Sequence, residues 1–292
     1  MPLHLRIRET QGLALELDGV LPERLHDQPM SAIETWPIWR GNRRVALGEW
    51  FVISGDASDG VLVIEGDLKG VHAIGQGMTR GEIHVDGDAG HRLGTEMTGG
   101  RIHIEGDVGD GLGVAMSGGT IAVTGCAGDL VGGAQPGAKR GMTGGVITID
   151  GSVGALAGLK MRRGLLAVAG DAGQGLGHGM IAGTIVVRGD CGDQVGVEMR
   201  RGSIMLLGPS SPPFPLTFQP AGSFRPVFLR LLVRELERLG FPVDPGILEV
   251  DLMLHHGDML ALGKGEIWTR LSFPFIRNRE EIPSRASRVS QN

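Results

Sequence analysis

Basic side chains recur at one position of this sequence, just after a methionine that is itself repeated. Most copies of that position carry small residues, but three carry arginine, and further basic residues fall beside the same edge. Guanidinium groups form bidentate forks with carboxylates and phosphates, so a rigid row of them would suit a polyanion. Ion pairs with a partner chain or with solvent are the more ordinary role of such residues. The row consists of Arg80, Lys139, Arg140, Lys160, Arg162, Arg163, Arg200 and Arg201.

Two further sets of side chains have the chemistry of metal ligands. Aspartates follow one repeated glycine and would form a column, but Cys126 and Ser152 interrupt it, and aspartate at a turn ordinarily accepts backbone N–H groups. His84 is expected to lie beside His103 on outward strand positions, flanked by acidic residues. We favour turn-forming aspartates and solvated or partner-bound histidines, and assign no metal ligand. The aspartates are Asp56, Asp67, Asp88, Asp107, Asp171 and Asp190.

Catalytic motifs are not found in the sequence. It contains no nucleophile elbow, no Walker-type phosphate loop and no zinc-spaced set of Cys and His. Glycine runs with the spacing G-x-x-G-x-x-x-G look superficially like dinucleotide loops, but they recur throughout the middle of the chain and open no helix. We therefore interpret them as structural corners and predict no catalytic residue.

All of these residues are positioned by a unit that repeats about every 19 residues. Five of the seven intervals between the glycines that end its apolar runs are 19; the others are 21 and 26, and the 26-residue interval holds an insertion at 134–141. A fixed period of this size indicates a solenoid. The marking glycines are Gly66, Gly87, Gly106, Gly125, Gly151, Gly170, Gly189 and Gly208.

Each unit has the same internal order. An alternating strand such as Ile83 with Val85 comes first, the glycine corners follow, and a repeated methionine comes after the last of these glycines. Three short apolar segments separated by glycine corners describe one triangular turn, and stacked turns rise by about 4.8 Å. The sequence therefore predicts an all-β protein, a right-handed parallel β-helix with coils of about 19 residues.

The flanking segments are predicted to cover this repeat. Residues 1–50 form an N-terminal cap with strands at Leu3–Ile7 and Leu13–Leu17, and 51–208 form the β-helix. Residues 209–282 supply a Pro-rich strap, an amphipathic helix and terminal strands, and 283–292 a flexible tail. Because outward positions of the late coils are apolar, we expect strap and helix to pack over them. The helix, 227–239, would use an apolar stripe of Phe228, Leu231, Leu232, Leu236 and Leu239 that Glu235 interrupts once.

Composition agrees with a packed repeat protein. The 292 residues include 51 glycines, yet 41% of the chain is hydrophobic. A net charge of −5 gives no global basic field to attract nucleic acid. No signal-peptide core and no apolar run of membrane-spanning length is found, so a cytoplasmic protein is expected.

The repeated corners and both flanks resemble a known family. The corners, GNRRVALGEWFVISGD before them and HGDMLALGKGEI after them are similar to the C subunit of formylmethanofuran dehydrogenase. This family shares its β-helix with the C-terminal domain of the glutamate synthase large subunit. The resemblance covers most of residues 30–270 and is strongest to the C subunit of the bacterial formyltransferase/hydrolase complex.

The resemblance implies a role within a larger enzyme. Such a complex converts formyl-tetrahydromethanopterin to formate through a furan carrier, methylofuran, and its C subunit is a non-catalytic scaffold. The expected partners in a hetero-oligomer are three: an amidohydrolase-like A subunit, a B subunit and a formyltransferase D subunit. No covalently bound cofactor is implied, but the carrier's polyglutamate tail would be a ligand for the basic row. The C subunit of a tungsten or molybdenum formylmethanofuran dehydrogenase is the alternative, and a separate glutamate-synthase-like coupling domain a further one.

Overall fold

The computed structural model describes residues 1–8, 14–209 and 214–271, and strands dominate this part of the chain. The strands are β1 Leu3–Ile7, β2 Leu15–Glu16, β3 Pro37–Arg40, β4 Arg43–Ala46, β5 Phe51–Ser54, β6 Val61–Glu65, β7 Val71–His72, β8 Glu82–Asp86, β9 Arg101–Ile104, β10 Thr120–Val123, β11 Val146–Ile149, β12 Leu165–Val168, β13 Thr184–Val187, β14 Arg201–Leu206, β15 Gln219–Phe224, β16 Leu252–Gly257 and β17 Lys264–Arg270. The helices are α1 Pro22–Leu25, α2 Met30–Glu34, α3 Leu47–Trp50, α4 Leu229–Arg238 and a 3-10 helix, Pro245–Glu249.

One large sheet contains most of the strands. It has 13 strands in the order β15-β16-β17-β14-β13-β12-β11-β10-β9-β8-β6-β1-β5, and the pairs from β1–β6 through to β14–β17 are parallel. Each repeat unit adds one strand beside the strand of the preceding unit, in a register that places like residues side by side, as Ile83 and Ile102 show. A smaller sheet has the order β4-β3-β2-β7. The expected all-β class is confirmed.

A second line of pairing runs beside the large sheet. The small residue after each first corner forms an isolated parallel bridge to its counterpart in the next unit, from Leu68–Ala89 to Ala172–Cys191. The repeated methionines fill the space between these layers and are all fully buried, as the apolar pattern predicts. They are Met78, Met97, Met116, Met142, Met161, Met180 and Met199.

The corner glycines are needed for two different reasons. The third glycine of a unit has a left-handed backbone, as at Gly113 with φ +61°, and a Cβ there would lie 2.5 Å from Ile147 Cδ1. The first glycine of most units has an ordinary φ. At Gly106 a Cβ would instead lie 2.6 Å from the backbone of Gly87. Close approach of successive units therefore excludes larger residues even where the backbone torsion does not.

The N-terminal strands are found, but they belong to different sheets. β1 pairs parallel with β6 and antiparallel with β5, whereas β2 pairs with β3 and β7. The expected strand Leu13–Leu17 is shorter, and the connection Glu9 to Gly12 lies outside the described residues. The short helix expected at Pro22 is present as α1.

The C-terminal segment covers the late units, as expected for its helix. Leu229, Val233 and Leu236 of α4 pack against the outward side chains Val186 and Met205. The predicted stripe is confirmed at Leu236 and, partly buried, at Leu232 and Leu239. It was wrong at Leu231, which is 69% exposed, and it omitted the buried Leu229 and Val233. The residues of α4 that contact the sheet are thus spaced by four and three, as in an amphipathic helix.

The Pro-rich strap was expected to lie along the outside of the units, and its structure is different. Its residues Gln219–Phe224 form β15, the edge strand of the large sheet, paired antiparallel with β16. Pro220 and a register shift beside it lie on this edge, which suits an edge strand because proline cannot donate a ladder hydrogen bond. The predicted tail, 283–292, lies outside the described residues.

The helices of the described part are short, and none is long and apolar enough to cross a membrane.

Candidate functional site: a basic groove beside the late repeat units

The residue after each repeated methionine is held by the preceding unit. The Arg162 amide donates to the Met142 carbonyl at 2.8 Å, and the Arg200 amide donates to the Met180 carbonyl at 2.8 Å. Ile181 occupies the same position in the unit between them. The two arginine pairs therefore lie two units apart, as the spacing predicts.

A groove of about 900 Å³ lies at this edge of the late units. Lys139, Lys160 and Arg200 line it on one side, and the loop between β16 and β17 lines it on the other. Leu260 and Leu262 of that loop are exposed and supply the apolar wall. The structure thus brings three of the eight predicted residues together opposite a loop about 120 residues later in the chain than Lys139.

Lys160 has a structural contact as well as a place in the groove. Its Nζ donates to the Ala138 carbonyl at 3.2 Å, and its carbonyl accepts from the Gly141 amide at 2.9 Å. Both partners belong to the 134–141 insertion. Lys160 therefore fastens the insertion to its repeat unit and positions Lys139 at the mouth of the groove.

Asp258 shapes the facing loop. Its side chain is only 4% exposed, and its two carboxylate oxygens accept from the Glu198 amide at 3.0 Å and the Leu260 amide at 2.9 Å. The carboxylate is thereby directed at backbone donors and not at the groove cations. Sequence reasoning missed Asp258 and Leu260, although both stand in the segment HGDMLALGKGEI that carries the family resemblance.

The other predicted residues lie apart from the groove walls. Arg80 lies in a separate hollow of about 240 Å³ with Glu23, His26 and Asp59, at the opposite end of the repeat. Arg201 pairs in register with Lys264, a basic residue outside the predicted row. The remaining three, Arg140, Arg162 and Arg163, are exposed or half-buried. The row is therefore divided into a late cluster and an isolated Arg80.

The late cluster is not neutralised within the described part of the chain. The arginines that form ion pairs there are Arg6, Arg92, Arg225, Arg238 and Arg270. None of the eight predicted residues belongs to that set. Glu198 is the exposed acid of the groove, and it lies 3.8 Å from His178 Nε2. The groove can therefore attract an anion, and its apolar wall can cover methylene groups.

The aspartate column has a structural role, and the preference for turn-forming aspartates holds in an unexpected form. Asp56 and Asp67 accept amides within their own turns. Later members accept the amide of the next unit instead: Asp88 Oδ1 from Asp107, Asp107 Oδ1 from Cys126 and Asp171 Oδ1 from Asp190, all at 2.7 Å. Cys126 and Ser152 continue this ladder, because each accepts from the next amide in the same way. The Asp107 amide, together with Lys69, holds the pKa of Asp88 below its ordinary value.

A second ladder of this kind was missed. The His91 amide donates to His72 Nδ1 at 2.9 Å, and the Asp110 amide donates to His91 Nδ1 at 2.8 Å. The Asp129 amide then donates to Asp110 Oδ1 at 2.9 Å. Burial, followed by the nearby His91 and Arg92, lowers the pKa of His72. The role passes from histidine to aspartate between units, so no single residue type marks it in the sequence.

The two outward histidines lie side by side, as expected. His84 and His103 pair in register, and their ring centroids are 6.0 Å apart. Glu82 lies 3.0 Å from His84 Nε2, and Glu105 lies 3.9 Å from His103 Nε2, so each ring has an acidic neighbour. Across the described ranges, no three side chains of His, Cys, Asp or Glu gather so as to hold a metal ion.

Comparison with known proteins extends this description. No protein-family model matches the chain. Over 85 residues the chain is 36% identical to the C subunit of the tungsten-containing formylmethanofuran dehydrogenase 2 of Methanothermobacter thermautotrophicus. This match covers 28% of this chain and 32% of that protein. Over 79 residues it is 39% identical to the C subunit of the molybdenum-containing formylmethanofuran dehydrogenase 1 of Methanothermobacter marburgensis. This match covers 27% of this chain and 20% of that protein. The chain thus matches about a third or less of the length of these curated relatives.

A solved structure matches nearly the whole chain. It is a chain from the crystal structure of the formyltransferase/hydrolase complex (FhcABCD) of Methylorubrum extorquens in complex with methylofuran. The TM-score is 0.83 and the sequence identity 36%, and the match covers 91% of this chain and 99% of that chain.

The fold and the groove define a class: a repeat protein whose units add strands to one long, mostly parallel sheet, with a basic groove at its late edge. Within that class, the chain belongs to the family formed by the C subunit of formylmethanofuran dehydrogenases and its relatives.

Proposed function

We propose that the chain is a non-catalytic, scaffolding subunit of a formyltransferase/hydrolase complex that converts formyl-tetrahydromethanopterin to formate through methylofuran. The observation that carries the proposal is the match over 99% of a chain of the methylofuran-bound complex at 36% identity. The partners would be an amidohydrolase-like A subunit, a B subunit and a formyltransferase D subunit. The role of the described residues supports a scaffold, because their polar side chains mainly join one repeat unit to the next.

We further infer that the units wind as the coils of a right-handed parallel β-helix. The parallel register of β6 and β8 to β14 and the second line of bridges support this geometry. Residues 1–50 would then be the cap, 51–208 the β-helix, 209–282 the strap, helix and terminal strands, and 283–292 a tail. The pairing of β1 with β6 and of β17 with β14 supports a covering segment at each end, and β5, which pairs with β1 beyond β6, lies with the N-terminal one.

The basic groove is proposed as a contact for the polyglutamate part of the carrier. Such a chain alternates carboxylates with methylene groups, which suits Lys139 and Arg200 on one wall and Leu260 and Leu262 on the other. The exposed Arg163 and Arg201 would extend the contact along the same edge. Arg80 would not take part, because it lies in a different hollow among acidic residues.

A second context is supported by the archaeal relatives. The 36% identity to the C subunit of a tungsten-containing dehydrogenase favours a complex with a metallopterin-binding chain. That identity covers only 85 residues, whereas the match to the formyltransferase/hydrolase complex covers nearly the whole chain. The first context is therefore the preferred one.

Affinity purification of the tagged chain from its native cells tests the proposal. Recovery of an amidohydrolase-like chain and a formyltransferase, identified by mass spectrometry, would support it. Recovery of a metallopterin-binding chain would point to the dehydrogenase instead. Recovery of the tagged chain alone would contradict both contexts.

A further inference from the structure

Helix α4 has two apolar faces, and only one of them is buried. Leu229, Val233 and Leu236 pack against the sheet. On the opposite side Leu231 is 69% exposed, and Val227, in the turn that precedes the helix, is 88% exposed. Nothing in the described part of the chain covers these two apolar side chains.

Exposed apolar side chains are characteristic of this C-terminal segment. Twelve large apolar residues of the described chain are strongly exposed, and all except Met1 and Val52 lie between Leu216 and Leu271. The described repeat units contribute none. A single exposed leucine needs no explanation, but a concentration of them in one segment marks an interaction surface.

Two arginines flank Leu231 on α4. Arg230 and Arg234 are exposed, and neither belongs to the ion pairs of the described residues. Arg238, one turn further on, differs because Glu235 neutralises it with contacts of 2.7 and 2.9 Å. Arg230, Leu231 and Arg234 of the helix, with Val227 of the turn before it, are together called the outer face of α4. It combines apolar contact area with two guanidinium groups that are not neutralised within the described chain.

We propose that the outer face of α4 docks an acidic, amphipathic segment of another subunit. Apolar side chains of that segment would cover Val227 and Leu231, and its carboxylates would form bidentate pairs with Arg230 and Arg234. A second copy of this chain is a poor occupant, because the same face would bring four like-charged arginines together. The inference rests on the proposed function, in which the chain works inside a complex of several subunits.

Photocrosslinking identifies the occupant directly. Leu231 is replaced by the photoreactive residue p-benzoylphenylalanine in the full chain, and the intact complex is purified and irradiated. The expected product joins α4 to a peptide of a different subunit that carries at least two Asp or Glu residues beside apolar ones. A product with a second copy of this chain, with lipid or with a segment lacking acidic residues would overturn the proposal. An intact complex that gives no product would overturn it as well.

Charge reversal tests the guanidinium groups. Arg230→Glu combined with Arg234→Glu should weaken retention of the crosslinked partner by about tenfold or more, measured by salt-dependent dissociation of the purified complex. Arg24→Glu combined with Arg43→Glu makes the same charge change on two exposed arginines of the N-terminal segment, away from α4, and it should leave retention unchanged. Equal effects of the two changes, or no effect of either, would overturn the proposal.

The control for folding is the thermal midpoint, which should be alike in both variants since all four arginines are exposed and none forms an ion pair with the described residues. Purification of the wild-type chain without any partner would contradict the proposed function and this inference together. A wild-type complex that forms, and holds its subunits equally well after the double reversal, would contradict this inference alone.

Discussion

The backbone amide of His91 donates a hydrogen bond to Nδ1 of His72 at 2.9 Å, and the two rings lie 5.1 Å apart between centroids. Nδ1 can accept this bond only in the neutral ring. Each histidine also stands one repeat unit from the next. The protonation state of one side chain is therefore tied to the contact between two units.

This relationship predicts an acid-sensitive stability. Because burial lowers the pKa of His72 in the folded protein, folding favours the neutral ring. Its contribution to the free energy of unfolding is present above about pH 6.5, the ordinary histidine value, and is lost as the pH falls through the lower folded value. Urea denaturation from pH 7.5 to pH 5 should show this decline.

His72→Asp provides the matched variant, because an aspartate accepts the same amide in the neighbouring positions of the ladder, such as Asp110. The decline below pH 6.5 should be shallower in this variant than in the wild type. His255, whose pKa is also lowered by burial, supplies a residual decline in both proteins. Identical slopes in the two proteins would show that His72 does not report on the contact between units.

The aspartate ladder predicts that loss of the hydrogen-bond acceptor lowers the free energy of unfolding more than loss of the negative charge alone. Asp107→Ala removes the acceptor of the Cys126 amide and should lower the free energy of unfolding by about 1 kcal/mol. Asp107→Asn keeps an oxygen in the same place and should lie close to the wild type. Asp67→Ala serves as the control, because Asp67 accepts from Lys69 within its own turn, at 3.3 Å. A larger loss in the Asn variant than in the Ala variant would contradict the hydrogen-bond explanation.

The corner glycines predict a separable effect of close approach. Gly113→Ala combines a left-handed φ of +61° with a Cβ contact of 2.5 Å to Ile147 Cδ1, whereas Gly137 has φ +77° and no atom within 4 Å. Gly137→Ala should therefore cost about 1 kcal/mol for the torsion alone. Gly113→Ala should cost roughly 1–3 kcal/mol more, because the packed core must shift. Gly113→Val, being larger, should also reduce the yield of folded protein.

Urea midpoints of the two alanine variants give the comparison. The insertion that contains Gly137 differs from the corner in packing but shares its backbone region, so the difference isolates the contact with Ile147. If the two midpoints fall equally, contact between units does not select glycine at the third corner.

The basic groove predicts a salt-sensitive affinity for polyglutamate. Lys139→Glu with Arg200→Glu should weaken binding of a fluorescent poly-γ-glutamate by about tenfold at low ionic strength, with a smaller difference at high salt. Arg163→Glu with Arg201→Glu should have a weaker effect in the same direction. Arg80→Glu is the control, since Arg80 lies in a separate hollow. The affinity of this variant for poly-γ-glutamate should equal that of the wild type. If Arg80→Glu weakened the affinity for poly-γ-glutamate as much as the groove variant does, the binding would be non-specific charge attraction and the groove would not be the site.

The sequence predicts the repeated features well because each recurs with the same residue type. Methionine marks the core position seven times, and glycine marks the third corner in every unit, so a single period reveals both. The cover over the late units was also predictable, because Val186 and Met205 occupy positions that are polar in earlier units. The buried side of α4 was predicted only in part, because leucine occupies both sides of the helix: Leu236 is buried, whereas Leu231 is exposed.

The rest depends on contacts that leave no periodic mark. The ladder that begins at His72 changes residue type between units. Asp258 and Leu260 reach the groove through the pairing of β17 with β14, which places a distant loop beside Lys139. Arg80 shares a repeat position with Arg163 but meets a different neighbourhood, because the segment around Glu23 covers its end of the repeat.

The 134–141 insertion leaves the contacts between units intact. The Ala155 amide still donates to Asp129 Oδ1 at 2.7 Å across a 26-residue interval, just as its counterparts do across 19 residues. Chain length in this protein is therefore modular. Whole units can be gained or lost, and one corner can grow a loop, without a break in registration, whereas loss of a single residue within a strand would misalign that unit with the units on either side of it. New binding surface can thus be added in evolution at a corner while the frame that carries it stays unaltered.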